Sequence, residues 1–250
     1  MRKTIKILRQ RKGEKESFWQ TFLYESEQEN VTAAQVLSEL NQRNPLLDRE
    51  GKAAAPVQWE CNCLQGKCGA CAMLIDGFPA LACEEKLKDH KDTIELMPLQ
   101  KFPVIEDLVA DRRVLFEHLK EMKVWTEQKQ TAAPEDQEKA FTASRCLQCG
   151  CCLEICTSYT DGRDFFGMAA LVPAARIVTV GKSSAKKEQI LEEYRKHFYE
   201  CCDEFHACEH VCPAKLPLTD LMSYMNMEMK KAGETGGKKD VWGNQSGRKQ

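Results

Sequence analysis

The chain has 250 residues and a mass of 28.5 kDa, long enough for two modest domains that each bury a core. Its 36 basic and 38 acidic residues give a formal charge of −2, which argues against a protein that neutralises nucleic-acid phosphates, so we expect no nucleic-acid partner. With 42% hydrophobic and 30% charged residues, collagen, coiled coil and wholesale disorder are disfavoured.

The cysteine content stands out once the compartment is considered. The longest apolar stretch, Phe166 to Val180, is short and is interrupted by Pro173 and Arg176, so we expect no bilayer span. The basic N-terminus has no apolar segment behind it, which predicts that the chain has no signal peptide and stays in the cytoplasm. Because structural disulfides are rare there, fourteen cysteines indicate metal or redox chemistry.

The first half reads as a small α+β domain. Residues 4 to 10 alternate as a half-buried strand does, and residues 17 to 24 form a second, aromatic-rich strand candidate. Thr32-Ala-Ala-Gln35 is a capping-box pattern that opens a helix, whose apolar stripe is Val36, Leu37 and Leu40. We expect this unit to end near Met97.

Beyond Pro103 the pattern favours helices. Apolar residues recur at helical spacing at Val104, Leu108, Val114, Leu115 and Leu119, and Glu188 to Phe198 repeats the trend. Gln128 to Lys139 is polar and predicts a linker or exposed loop. The tail from Gly233 is rich in Gly, Lys and polar residues, which predicts disorder. We therefore divide the chain into residues 1–103, 104–232 and a tail, 233–250.

The first cysteine island has the spacing of a plant-type [2Fe–2S] site. Its C-x4-C-x2-C run and distant fourth cysteine are Cys63, Cys68, Cys71 and Cys83. Three thiolates on one loop would wrap the cluster, and the fourth would arrive from the far end of a hairpin turned by Asp76-Gly77. Glycines in the loop let backbone N–H groups approach the sulfur atoms.

Two further cysteine islands lie between Cys146 and Cys156 and between Cys201 and Cys212. They resemble the runs of a two-cluster bacterial ferredoxin, in which the fourth cysteine of each run ligates the other cluster. The third run has Phe205 where its second cysteine would stand. The crossover then gives four thiolates to a [4Fe–4S] cluster, from Cys146, Cys149, Cys152 and Cys212. It leaves three for a [3Fe–4S] cluster, from Cys156, Cys202 and Cys208.

Alternatives remain open at each island. Four of the five cysteines in the first island could instead hold a structural zinc ion. Cys61 is left over from the [2Fe–2S] set, and we take it as a bystander. The third site could gain a fourth ligand from Cys201 or Cys151 and become a second [4Fe–4S] cluster. His206 and His210 could bind zinc together with neighbouring cysteines.

Three one-electron centres make a relay, whereas chemistry on a substrate needs something more. The chain has neither a G-x-G-x-x-G nor a G-x-x-x-x-G-K-[ST] motif, so no flavin, nicotinamide or P-loop fold is indicated and we name no catalytic residue. We expect the two-electron step to belong to a partner subunit.

Taken together, the segments Gln58 to Gly77 and Met97 to Leu108 and the two cysteine runs ending in Cys212-Pro213 resemble the iron–sulfur subunit of succinate dehydrogenase and fumarate reductase. The resemblance implies an N-terminal β-grasp plant-type ferredoxin domain and a C-terminal all-α, bacterial-ferredoxin-like domain. It also implies a flavoprotein partner that carries FAD, a hydrophobic membrane anchor with quinone, which bears haem in some members of the family, and a peripheral position on the cytoplasmic face of the inner membrane.

The sequence departs from the family pattern at several positions. Thr157 stands where proline usually follows the fourth cysteine of the second run, and Thr160 and Asp203 replace residues that help to bind quinone. We therefore carry over no quinone-binding residue. Rival hypotheses are a soluble ferredoxin-like carrier, the iron–sulfur arm of a flavoenzyme acting on another unsaturated acid, and a zinc-stabilised structural protein.

Overall fold

A computed structural model describes residues 1–125, 132–181, 185–199, 201–202 and 206–235. The N-terminal part is rich in sheet. Its elements in chain order are β1 (Arg2–Gln10), β2 (Ser17–Glu25), α1 (Ala33–Gln42), β3 (Ala72–Ile75), β4 (Phe78–Leu81), β5 (Thr93–Met97), β6 (Val104–Glu106) and β7 (Val109–Ala110). The C-terminal part is helical, with α2 (Arg113–Glu121), α3 (Gln137–Ser144), α4 (Cys151–Glu154), α5 (Gly167–Val180), α6 (Ala185–His197), α7 (Ala207–His210) and α8 (Leu218–Thr235).

The main sheet has the strand order β2-β1-β5-β3-β4. Strand β1 pairs antiparallel with β2 and parallel with β5, and β3 pairs antiparallel with both β4 and β5. Alternation in β1 buries Ile5 and Ile7, as the sequence pattern predicts. Helix α1 begins with the predicted capping box, since the Gln35 N–H donates to Thr32 Oγ1 (3.2 Å) and the Thr32 N–H donates to Gln35 Oε1 (2.9 Å).

The β3–β4 hairpin turns at Asp76-Gly77, which confirms the predicted turn. Both residues have positive φ, 50° and 83°, as a tight two-residue hairpin turn requires. The Asp76 carboxylate also accepts a hydrogen bond from the Glu95 N–H of β5 (2.8 Å), which fixes the turn to the sheet. This hairpin carries Cys71 at its entrance and Cys83 just after its exit.

The helical prediction for the segment after Pro103 is wrong over residues 104–110, which form the β6–β7 hairpin. The reason is a long-range ion pair. Arg9 of β1 donates to both carboxylate oxygens of Asp107, at 2.8 and 2.9 Å, and both side chains are buried. Asp107 has φ 47° and also accepts from the Gln58 N–H (2.9 Å), so tertiary bonding overrides local periodicity here.

The helical part is organised around α5, which is buried along most of its length and packs against α2, α3, α4, α6 and α8. Helix α6 confirms the predicted helix over Glu188 to Phe198. The predicted linker is wrong at its end, because Pro134–Asp136 is a 3-10 turn and Gln137 begins α3, while residues 128–131 lie outside the described residues. Helix α8 reaches Thr235, so the predicted disorder is wrong at residues 233–235, and the rest of the predicted tail lies outside the described residues.

A buried histidine joins α2 to the loop before α5 and makes folding sensitive to pH. His118 lies face to face with the Phe166 ring at 4.1 Å and its Nε2 bonds to the Gly162 carbonyl oxygen (2.7 Å). Burial lowers the pKa of His118 below its ordinary 6.5, so the folded state disfavours the proton that the unfolded state accepts. The contribution of His118 to the free energy of unfolding is therefore fully present above pH 6.5 and decreases as the pH falls below 6.5.

We expect the unfolding free energy of the wild type to fall more steeply below pH 6.5 than that of His118→Phe, by at most about 1.4 kcal/mol per pH unit, the limit for one proton. Denaturant unfolding at a series of pH values measures both slopes. Identical slopes for the two chains would mean that His118 keeps its ordinary pKa in the fold.

Candidate metal centres

The first group of cysteines lies on the loop between α1 and β3 and at the end of the β4 strand. The Cys63 and Cys68 side chains are hydrogen-bonded, the Cys71 and Cys83 side chains are hydrogen-bonded, and Cys71 also feels the charge of Cys68. The structure thus brings together the four cysteines predicted for the first site. The loop itself is at the surface, with Cys61 and Leu64 exposed.

Backbone N–H groups of this loop are directed at the sulfur atoms. Cys63 Sγ accepts hydrogen bonds from the N–H groups of Gln65 (3.4 Å) and Lys67 (3.3 Å). Cys83 Sγ accepts one from the Gly66 N–H (3.2 Å), and Cys68 Sγ accepts one from the Ala70 N–H (3.5 Å). The bonds from the Gln65 and Lys67 N–H groups lower the pKa of Cys63 to about 7. The loop is therefore built to stabilise negative charge on sulfur.

Glycine is needed at one of these donors. Gly66 has φ +66°, and a Cβ at this position would stand 2.3 Å from Glu84 Oε1. The left-handed backbone is what turns the Gly66 N–H toward Cys83 Sγ, a geometry that L side chains rarely adopt. The sequence-based expectation that loop glycines allow close N–H approach is thereby confirmed at Gly66.

The second group surrounds a cavity in the helical part. Cys146, Cys149, Cys152 and Cys212 all line it, together with apolar side chains that include Met168, Val172 and Leu216. Burial raises the pKa of Cys152, and the charges of the other three thiols raise it further. Burial likewise raises the pKa of Cys146 to about 11. Cys212 thus lies with the second run although it belongs to the third.

The third group consists of Cys156, which follows α4, Cys202, and Cys208 of α7. Burial raises the pKa of Cys208 to about 11, and the thiols of Cys156 and Cys202 add to the shift, which places the three side chains near one another. Phe205 and Asp203 lie outside the described residues. The third group borders the second, because Cys152 also feels the charge of Cys208.

Two groups of four thiols and one of three, with N–H donors at the first group and an apolar lining around the second, fit the chemistry of iron–sulfur clusters. Across the described ranges, no three Cys, His, Asp or Glu side chains are placed as ligands of one metal ion. His206 Nδ1 lies 3.5 Å from Thr219 Oγ1, so one of the two predicted histidine candidates has a polar partner within the protein.

Comparison with known proteins identifies the family. Residues 4–117 match the protein family described as the 2Fe-2S iron-sulfur cluster binding domain. The chain is 31% identical over 209 residues to the succinate dehydrogenase iron-sulfur subunit of Bacillus subtilis (strain 168), covering 80% of this chain and 81% of that protein. The chain belongs to the family of succinate dehydrogenase and fumarate reductase iron–sulfur subunits. The fumarate reductase iron-sulfur subunit of Wolinella succinogenes is also 31% identical, over 67% of this chain and 75% of its own length.

A solved structure has the same fold as this iron–sulfur subunit. A chain of the Mycobacterium smegmatis Sdh1 complex in the apo form matches with a TM-score of 0.75 at 19% identity, over 93% of this chain and 97% of that one. The protein is thus an iron–sulfur subunit of an oxidoreductase complex, sheet-rich in its first part and helical in its second. In the part of the subunit that the structure describes, no helix has the length and apolar character to cross a membrane.

Two residues of the iron–sulfur subunit that sequence reasoning missed touch the cysteine loops. Gln148 Nε2 donates to Cys146 Sγ (3.2 Å) and to the Ala169 carbonyl oxygen (2.8 Å), which ties the second run to α5. Arg112 donates to carbonyl groups of the first and second loops. Arg112 belongs to no spacing motif, and Gln148 is a variable position inside the Cys146-x2-Cys149 spacing, so no signal in one sequence could have found these bonds.

The three spare cysteines of the iron–sulfur subunit lie in different surroundings. Cys61 and Cys201 are exposed, whereas Cys151 is fully buried. The Cys151 thiol and N–H both donate to Cys149 Sγ, and they lower the pKa of Cys149 to about 7. Cys151 is therefore placed to tune a neighbouring sulfur atom, while the other two face solvent.

Proposed function

We propose that this subunit relays single electrons between the FAD of a flavoprotein subunit and quinone at a membrane anchor through [2Fe–2S], [4Fe–4S] and [3Fe–4S] clusters. The observation that carries the proposal is spatial order. Eleven thiols form three groups, and the middle group borders each of the others, through the contact of Cys149 with Gly69 on one side and the interaction of Cys152 with Cys208 on the other.

Each of the three cysteine groups would supply the ligands of one cluster. Cys63, Cys68, Cys71 and Cys83 would hold [2Fe–2S]; Cys146, Cys149, Cys152 and Cys212 would hold [4Fe–4S]; Cys156, Cys202 and Cys208 would hold [3Fe–4S]. When bound, each cluster accepts and releases one electron. The protein supplies thiolates, N–H donors that stabilise negative charge on sulfur, and an apolar lining around the middle site.

The proposal also includes the type and the bounds of the two domains. The mixed five-stranded sheet with α1 packed on it supports a β-grasp domain over residues 1–103, and the helices around α5 support a bacterial-ferredoxin-like domain over 104–232. The β6–β7 hairpin is attached to the first unit by the pair of Arg9 and Asp107.

The partners are proposed from exposure. The first cysteine loop is at the surface, where Leu64 is 48% exposed, and a flavoprotein can approach it. The middle group is more enclosed, as an internal step of a relay should be. We place the subunit peripherally on the cytoplasmic face of the inner membrane, held by a hydrophobic anchor at the end near Cys208.

Redox-titrated EPR of anaerobically purified full-length protein tests the assignment. We expect one [2Fe–2S], one [4Fe–4S] and one [3Fe–4S] signal and about nine iron atoms per chain. A colourless protein that binds zinc, or one with only the [2Fe–2S] signal, would contradict the proposal. Co-purification with a flavoprotein and a hydrophobic subunit separates this function from that of a soluble carrier.

The third cysteine set has three thiols, because Phe205 stands where its second cysteine would be. Phe205→Cys restores the C-x2-C spacing of the third run, so we expect the [3Fe–4S] signal to be replaced by that of a second [4Fe–4S] cluster, with about one more iron atom per chain. Iron analysis and EPR of the oxidised protein measure the change. Phe205→Leu is the matched control and should keep the three-iron signal; an unchanged signal in fully metallated Phe205→Cys would count against the crossover.

A further inference from the structure

Arg112 joins the first and second cysteine loops. Its Nη1 donates to the Gly69 carbonyl oxygen (2.9 Å) and to the Cys149 carbonyl oxygen (3.0 Å), and its Nη2 donates to the Ala70 carbonyl oxygen (3.0 Å). The side chain is only 14% exposed. One guanidinium therefore bonds both loops at once, at residues that adjoin or are proposed ligands.

The two loops also touch where Arg112 binds them. A Cβ at Gly69 would lie 2.8 Å from Cys149 Cβ and 3.0 Å from the Leu147 carbonyl oxygen. The backbones of the two loops thus meet at closest packing at Gly69 and Cys149. This contact lies between the two proposed ligand sets, and Arg112 bonds to both sides of it.

We propose that Arg112 is a positioning residue that holds the [2Fe–2S] and [4Fe–4S] loops together and raises the reduction potentials of both clusters. The inference rests on the proposed function. If bound, the two clusters would exchange one electron at a time. By bonding to both loops, Arg112 would hold their separation constant, and this separation is one of the factors that set the rate of electron exchange.

The charge of Arg112 acts in addition to its geometry. A cluster on thiolates becomes more negative when it gains an electron, and a nearby cation stabilises that state. Glu60 forms an ion pair with Arg112, but its side chain is 44% exposed and water screens its charge. The positive charge on the loop carbonyls is therefore only partly offset.

Arginine suits this position because its planar fork offers several donors in fixed directions. Lysine would keep the charge but could not bond Gly69, Ala70 and Cys149 together from one rigid group. The two functions of Arg112, charge and bridging, can therefore be separated by substitution. Arg113 is the matched control: it has the same charge one residue on, pairs with Asp111, and is 87% exposed.

The experiment measures the midpoint potentials of both clusters and their magnetic interaction by redox-titrated EPR in the full-length wild type, Arg112→Gln, Arg112→Lys and Arg113→Gln. We expect Arg112→Gln to shift both potentials negative and to weaken the magnetic broadening. Arg112→Lys should keep most of the potential but weaken the broadening. Arg113→Gln should change neither.

If Arg112→Gln loses its clusters, Arg112→Lys keeps the test decisive, because lysine keeps the charge and loses the three-carbonyl bridge, so the broadening should weaken while the potentials stay close to those of the wild type. Unchanged potentials and broadening in Arg112→Gln, or unchanged broadening in Arg112→Lys, would overturn the inference while leaving the relay intact. Absence of the [2Fe–2S] and [4Fe–4S] signals from the wild type would overturn the proposed function itself.

Discussion

Replacing Cys212 with Ala should remove the middle cluster, although this cysteine belongs to the third island. Cys212 lines the same cavity as Cys146, Cys149 and Cys152 and shares their electrostatic environment. We expect iron to fall from about nine to about five atoms per chain, with loss of the [4Fe–4S] signal and of electron transfer to quinone. Iron analysis, EPR and quinone reduction by the complex measure these effects.

Two further substitutions make this test specific. Cys208→Ala should remove the [3Fe–4S] signal and spare the middle cluster, because Cys208 lies with Cys156 and Cys202. Cys201→Ala is the control, since Cys201 is exposed and should leave iron unchanged. If Cys212→Ala removed the three-iron signal instead, the crossover between the islands would be refuted.

The second large effect is expected at the contact between the first two cysteine loops. Gly69 has φ +74°, and an added Cβ meets Cys149 and Leu147 backbone atoms that cannot move aside cheaply. We expect Gly69→Ala to destabilise the fold by about 2–5 kcal/mol, from left-handed strain and overpacking together. The midpoint of thermal unfolding and the iron content should both fall.

Gly77→Ala is the matched control for Gly69→Ala. Gly77 has a similar φ of +83°, but a Cβ there would have no heavy atom within 4 Å. It therefore reports left-handed strain alone, about 1–2 kcal/mol. Equal destabilisation by the two substitutions would show that the loops do not pack against each other as described.

Local chemistry explains which parts of the fold could be predicted from sequence. The capping box at Thr32, the turn at Asp76-Gly77 and the alternation in β1 all depend on neighbours within a few residues, and the structure confirms them. The β6–β7 hairpin depends on Arg9, far away in the chain, and helical periodicity was misleading there. Such long-range bonding leaves no trace in a local pattern.

The candidate sites divide in the same way. Cysteine spacing reflects the covalent geometry of ligands on one loop, so it could predict the sets without coordinates. Arg112 reaches the loops only after the chain has folded, and Gln148, which lies inside the second run, bonds to the Ala169 carbonyl oxygen only then. Residues that set the environment of a proposed redox centre therefore require a structure, whereas its proposed ligands can be named from spacing.

The position of Cys212 has a consequence for biogenesis. In the proposed assignment, the [4Fe–4S] cluster bound by Cys152 and Cys212 would link the two ends of the segment that contains α5 and α6, as a covalent cross-link would. A chain that has not received this cluster would keep its central apolar helix without that link. Binding of the metal would then be coupled to folding of the helical part.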